Sequence, residues 1–123
     1  MKNLQVAPEN PKICFTVTKK DINNHNALLP SILYGEMEKF ASTIIANNPD
    51  IMNTPAKLYK LDILKNAFLD DKLVIESKIK IFNNAELQLA LTVKHKDNKP
   101  NSTICKAIFK FQFKNNILKA SKH

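Results

Sequence analysis

No arginine occurs among the 123 residues, although 19 lysines against 11 acidic residues give a formal charge of +8. Bidentate readout of bases and phosphates is the work of a planar guanidinium. The chain therefore lacks the usual instrument of sequence-specific nucleic-acid binding, and no nucleic-acid partner is expected. Lysine without arginine, beside abundant asparagine, is what an AT-rich coding sequence yields. Cysteine is equally scarce: Cys14 and Cys105 are too few and too far apart for a zinc site or a disulfide framework, and are expected to pack as small hydrophobes. His25, His95 and His123 are scattered, so no metal constellation is visible. The longest apolar runs, such as residues 27–29, fall far short of the roughly 20 residues that cross a bilayer, so no membrane association is expected. The opening MKNLQVAPENPK has no sustained apolar stretch and does not read as a secretory signal, which leaves the cytoplasm as the expected setting.

What is present fits one domain over residues 1–123. Hydrophobic residues make up 44% and charged residues 24%, enough for a single core and too short a chain for two ordinary domains. Pro8 and Pro11 mark residues 1–11 as an extended arm, and residues 115–123 read as a tail. Residues 12–19 alternate Ile13, Phe15 and Val17 with polar neighbours, the period of a half-buried strand. A polar loop, DINNHN, leads to one amphipathic helix over residues 30–47. There Leu33, Met37, Phe40, Ala41 and Ile44 form one stripe, and Pro30 suits the first turn, where its missing N–H costs nothing.

Four strands follow, over residues 57–64, 72–82, 85–95 and 103–114. Leu73, Ile75, Ile79 and Ile81 are expected on one face of the second of these, and Leu87, Leu89, Leu91 and Val93 on one face of the third. Asn83 and Asn84 read as a tight hairpin turn, because asparagine tolerates left-handed backbone. Strand, long helix and four antiparallel strands pack when the sheet curls around the helix. That is the α+β hotdog fold. A single helix leaves an edge of the sheet uncovered, so pairing of protomers is expected, as a homodimer or a dimer of dimers.

The stretch DINNHNALLPSILYGEMEKFA, residues 21–41, resembles the acyl-CoA thioesterases of the hotdog superfamily. Their pattern runs Asp, a small residue, Asn, two variable residues, Gly, two variable residues, an apolar residue, Gly-Gly, and a helix carrying Met-Asp and a later Ala. Asp21, Asn23, Met37 and Ala41 stand at matching positions, and Glu38 stands where the family has its acid. Farther on, ILKNAFLDDKLVIES, residues 63–77, is similar to the family's Phe-Leu-x-Pro-Val-x-x-Gly-Asp segment, with Asp71 at the Asp. Asn26 replaces the first Gly, Pro30 and Ser31 the Gly-Gly pair, Asn66 the Pro and Asp70 the last Gly.

The chemistry of thioester hydrolysis can be set beside these residues. A helix N-terminus offers unpaired N–H groups and a positive dipole to a developing oxyanion. The Ser31 amide is the nearest donor, while Pro30 has none to give. Glu38 lies roughly 100° from the centre of the apolar stripe, on a helix flank that a second protomer can face. A carboxylate there can act as general base or nucleophile, or simply be a solvated acid. Glu36 is the rival acid, because PSILYGE also resembles the Pro-Gly-Val-Leu-x-x-Glu of hotdog hydroxyacyl dehydratases, although that family's histidine is unmatched.

Asn23 can orient the attacking water or make an Asx turn, and His25 can bond a substrate carbonyl or be solvated. Asp21 is a strand-end turn residue or, as in the hydroxybenzoyl-CoA branch, the group that attacks the thioester. Gly35, the sole glycine, costs about 1 kcal/mol inside a helix, which implies a close approach by the sheet or by an acyl chain. Leu28 and Leu29 line an acyl tunnel or plug the core. Lys78, Lys80, Lys106 and Lys110 give the outer sheet face a positive surface, able to attract coenzyme A phosphates or an acidic carrier, or merely to stay solvated. The resemblance implies hydrolysis of an acyl-CoA or acyl-carrier-protein thioester, with coenzyme A entering only as part of the substrate and no separate cofactor. The alternatives are a non-catalytic acyl-thioester-binding protein and the dehydratase.

Overall fold

The computed structural model describes residues 11–46, 55–97 and 102–113. The tail and all of the arm except Pro11 lie outside the described residues. Strand β1 (Lys12–Thr16) and a 3-10 turn (Lys19–Asp21) precede helix α1 (Pro30–Ala46), and then come β2 (Lys57–Ile63), β3 (Lys72–Phe82), β4 (Glu86–His95) and β5 (Thr103–Gln112). All strand pairs are antiparallel, in the order β1-β3-β4-β5-β2. One helix against a five-stranded antiparallel sheet of this order is the hotdog arrangement.

The expected helical stripe is the packed face. Leu33, Met37, Phe40, Ala41 and Ile44 are buried, joined by Ile45. They meet Leu73 and Ile75 of β3, Leu87, Leu89, Leu91 and Val93 of β4, and Phe109 and Phe111 of β5 in one cluster. Burying a phenylalanine in such a core stabilises by about 1.5–3 kcal/mol, so truncating the fully buried Phe109 to alanine would cost about 3–5 kcal/mol, cavity included.

Several sequence expectations need correction. Strand β1 stops at Thr16, because the Asp21 carboxylate accepts hydrogen bonds from the Thr18 N–H (2.9 Å) and hydroxyl (2.8 Å) and so turns the chain. Val17 is buried just beyond the strand, whereas Ile13 stays exposed on this edge strand. In β3 the pairing with β4 shifts between Ile79 and Ile81. The inward row ends there and Ile81 is exposed.

The β3–β4 turn forms without left-handed backbone at Asn83 or Asn84; among the described residues only Asn26 (φ 64°) and Asp70 (φ 73°) have positive φ outside glycine. Asn83 instead closes the turn with its side chain, accepting from the Ala85 N–H (2.8 Å) and the Glu86 N–H (3.0 Å). Cys105 is buried and its thiol pKa is pushed up to about 11, first by burial and then by the charge of Asp62. Cys14, by contrast, is exposed. No described helix is long and apolar enough to cross a membrane.

The two edges of the sheet differ. Leu58, Leu61 and Ile63 of β2 pair with Phe109, Ala107 and Cys105 of β5, which puts them on the sheet's inner face. Yet Leu61 is 37% exposed, Ile63 47% and the following Leu64 56%. Leu58 is half-buried and packs on the core, so among the described residues the inner side of β2 is exposed only toward its end, at Leu61 and Ile63.

Candidate functional site

The segment before α1 is a small hairpin. The Asn23 N–H donates to the Ala27 carbonyl, Ile22 and Leu28 form a bridge, and the Asn23 side-chain carbonyl accepts from the N–H groups of His25 (2.8 Å) and Ala27 (3.1 Å). Asn23 thus makes an Asx turn with its oxygen, which leaves its NH2 as a donor. His25 is exposed at the hairpin tip. Asn26 and Asp70, which replace family glycines, hold the left-handed backbone that glycine takes freely and that Asn and Asp tolerate best among other residues.

Asp21 is buried, and its carboxyl is held below the ordinary range chiefly by the hydrogen bond from the Thr18 N–H. Burial acts against this shift, while the Thr18 hydroxyl and Lys20 add to it. A carboxylate closing its own turn in this way is committed to structure.

At the head of α1 the Leu29 carbonyl accepts from the N–H groups of Ile32 (3.0 Å) and Leu33 (3.1 Å). Leucine has no side-chain acceptor to cap the helix, and the first turn contains no acid. The Ser31 N–H, on an exposed residue, meets no acceptor among the described residues. Leu28 belongs to the core cluster, while Leu29 is half-buried.

Glu38 is half-buried on a flank of α1 beside the buried stripe. Tyr34, one turn earlier, has its ring against Phe109 of β5 (centroids 5.9 Å apart), whose register partners are Leu58 in β2 and Leu89 in β4. The Tyr34 hydroxyl approaches a Glu38 carboxylate oxygen at 3.5 Å. Burial, then the charge and hydrogen bond of Glu38, push the phenol pKa up, so Tyr34 remains a donor. Sequence reasoning missed Tyr34, although its spacing of four residues from Glu38 is the signal that could have found it.

Glu36 stands roughly 160° away around the helix and pairs with Lys39 at 3.6 Å. Gly35 corrects an expectation, since a Cβ there would meet nothing within 4 Å. Neither the sheet nor any described part of the chain requires this glycine.

Asn23 and His25 thus lie in the hairpin before α1 and Ser31 in its first turn, while Glu38 shares Ser31's face of the helix two turns on. Seven residues separate Ser31 from Glu38, about 10 Å along the axis. The outer face of the sheet is a different surface. A groove of about 240 Å³ there is lined by Lys60, Asp62, Lys80, Ala90, Thr92 and Lys106, and it does not touch the helix. Lys78, Lys80 and Lys106 are exposed on that face, whereas Lys110 is half-buried over the Tyr59 ring (4.2 Å) and pairs with Glu86. Among the described residues no group of three metal-ligating side chains comes together.

No family model matches the sequence, and no curated protein does so either. Solved structures similar in fold include an acyl-CoA hydrolase from Staphylococcus aureus, at TM-score 0.70 and 12% identity, covering 85% of this chain and 65% of that one. A hypothetical thioesterase with coenzyme A from Streptococcus pneumoniae TIGR4 aligns at TM-score 0.68 and 13% identity, over 84% of this chain and 77% of the other. The E. coli PaaI protein from the phenylacetic acid degradation operon aligns at TM-score 0.71 and 15% identity, over 82% and 73%. The present chain thus spans just under two thirds of the staphylococcal hydrolase. At these identities the likeness establishes the hotdog fold.

Proposed function

We propose that the protein is an acyl thioesterase acting on an acyl-CoA or acyl-carrier-protein thioester, with Glu38 as its catalytic carboxylate. The observation that carries this reading is the half-buried Glu38, whose carboxylate has the Tyr34 hydroxyl beside it at 3.5 Å on the flank of the helix. Thioesterase neighbours of the same fold, one with coenzyme A, support it.

A single protomer is an incomplete site. A thioester presents its carbon and its oxygen within one bond length, whereas Ser31 and Glu38 of one chain are about 10 Å apart. Pairing of two protomers through β2 answers this, because Leu61, Ile63 and Leu64 gain the cover that one chain does not give them and the open edge gains partners. In that homodimer, or dimer of dimers, Glu38 of one protomer works beside the hairpin and helix entrance of the other.

The chemistry follows from the donors present. Asn23 orients a water with its NH2. Glu38 takes a proton from that water as its oxygen adds to the thioester carbon, and the Ser31 N–H receives the charge that moves onto the carbonyl oxygen. The tetrahedral adduct then collapses, the C–S bond breaks, and the departing sulfur takes the proton back from Glu38. Direct attack by Glu38 through an acyl anhydride is the variant of the same role. Coenzyme A enters only within the substrate, and the two unpaired cysteines suit a cytoplasmic setting.

The binding-only reading has one specific observation in its favour: Pro30 stands where the family has a glycine N–H, so one oxyanion donor is lacking. The dehydratase reading would use Glu36, on the opposite flank and paired with Lys39. Following thiol release from a panel of acyl-CoAs, for the wild type and for Glu38→Gln and Glu36→Gln, separates the three. Turnover lost in Glu38→Gln alone supports the proposal, binding without turnover supports the second reading, and loss confined to Glu36→Gln overturns the assignment.

A further inference from the structure

The hairpin that leads into α1 is hydrogen-bonded along its backbone to a neighbouring turn. Ala27 bridges Phe68, the Leu28 N–H donates to the Ala67 carbonyl (2.9 Å), and the Leu69 N–H donates to the Asn26 carbonyl (2.9 Å). These are backbone contacts, so the placement of the hairpin depends on how firmly residues 66–71 are held.

Besides the Val17 backbone, whose N–H donates to the Asp71 carbonyl (3.0 Å) and whose carbonyl accepts from the Asp70 N–H (2.9 Å), two side chains hold them. Asp71, just before β3, accepts the Phe68 N–H on its Oδ2 at 2.8 Å. The same oxygen lies 3.1 Å from Nε2 of His95, the last residue of β4. A carboxylate accepts, so Nε2 is the nitrogen that carries the proton. His95 is itself anchored: its N–H donates to the Ser102 carbonyl (3.1 Å), and the next N–H, that of Lys96, donates to the Lys72 carbonyl (2.9 Å). Asp71 and His95 are 28–30% exposed at the side chain, sheltered enough for the contact to persist.

We propose that Asp71 and His95 are positioning residues for the proposed thioester site. They lock the 66–71 turn to the end of β4, and the Ala27–Phe68 bridge carries that constraint to Leu29 and the Ser31 amide. Neither residue touches the substrate. The inference rests on the thioesterase reading for its catalytic consequence, whereas its structural half stands without it.

The test compares His95→Leu, which cannot donate, with His95→Gln, whose side-chain N–H reaches toward the same carboxylate. Expected for His95→Leu are a kcat at least tenfold lower on the best acyl-CoA, a KM within about twofold of wild type, and faster hydrogen exchange at the Leu28 and Leu69 amides. His95→Gln restores both measures to within about threefold. Wild-type kcat and exchange in both variants would overturn the proposal, as would equal damage in both. If the wild type turns over no acyl-CoA, the thioesterase reading fails and the exchange rates alone decide the clamp. If His95→Leu does not fold, Asp71→Asn takes its place, with the same two amides as the readout.

Discussion

Glu36 and Glu38 sit two residues apart on α1, carry the same chemistry, are both half-buried and have different partners. Glu36 has a lysine one turn along its own helix for a partner, at 3.6 Å, an arrangement worth a few tenths of a kcal/mol. Glu38 has a tyrosine hydroxyl against it and, among the described residues, no cation paired with it. The lesson is that a carboxylate with no paired cation among the described residues keeps its lone pairs available for something outside the chain.

The sharpest way to break this contrast is to neutralise each acid in turn. Glu38→Gln is expected to lower kcat by about 10²–10⁴, the range of a lost general base, while Glu36→Gln changes it by less than about threefold; stopped-time thiol assays read both. Charging the bare edge comes next. Leu61→Lys with Ile63→Glu is expected to turn a dimer into a monomer in sedimentation velocity at micromolar concentration and to remove most of the turnover. Tyr34→Phe removes the donor but keeps the ring on Phe109, and is expected to reduce kcat about tenfold or less, as befits one hydrogen bond to a charged group. A wild-type kcat would mean that Tyr34 only fills space.

Gly35 tests the same flank from the stability side. With open space around its Cβ, Gly35→Ala is expected to stabilise the fold by about 1 kcal/mol and raise Tm by about 3–5 °C, yet to slow turnover where the added methyl meets the proposed partner protomer or substrate. The smallest effect concerns Asp21. Its folded pKa lies below the unfolded value of about 3.9, so its contribution is full above that value and fades as pH falls through the folded pKa. Asp21→Asn is therefore expected to flatten the dependence of urea stability on pH below about 4, with no such change near neutrality.

The fold was legible because its signals are periodic. The stripe from Leu33 to Ile44 and the alternation from Leu87 to Val93 each admit one burial pattern, and the structure follows both. What escaped were events that break a period. The register shift past Ile79 and the carboxylate that ends β1 leave no mark in hydropathy. At the site, the family pattern pointed to Glu38, Asn23 and Ser31 by position, and the replacement of two glycines by Asn26 and Asp70 proved compatible with the backbone they need. Tyr34 was hidden because an aromatic one position off the apolar stripe reads as ordinary core. The Asp71–His95 contact joins residues 24 apart, and no spacing rule reaches that far.

The most direct test of the shared site is complementation between two damaged chains. Glu38→Gln lacks the carboxylate; Asn23→Asp keeps the turn acceptor but lacks the NH2 donor. Co-expressed with different tags in equal amounts and paired at random, half of the dimers are mixed, and each mixed dimer holds one site with both groups intact. Turnover near one quarter of wild type is then expected from two chains that are each nearly inactive alone. A mixture no more active than its components would contradict the claim that Glu38 serves the neighbouring protomer.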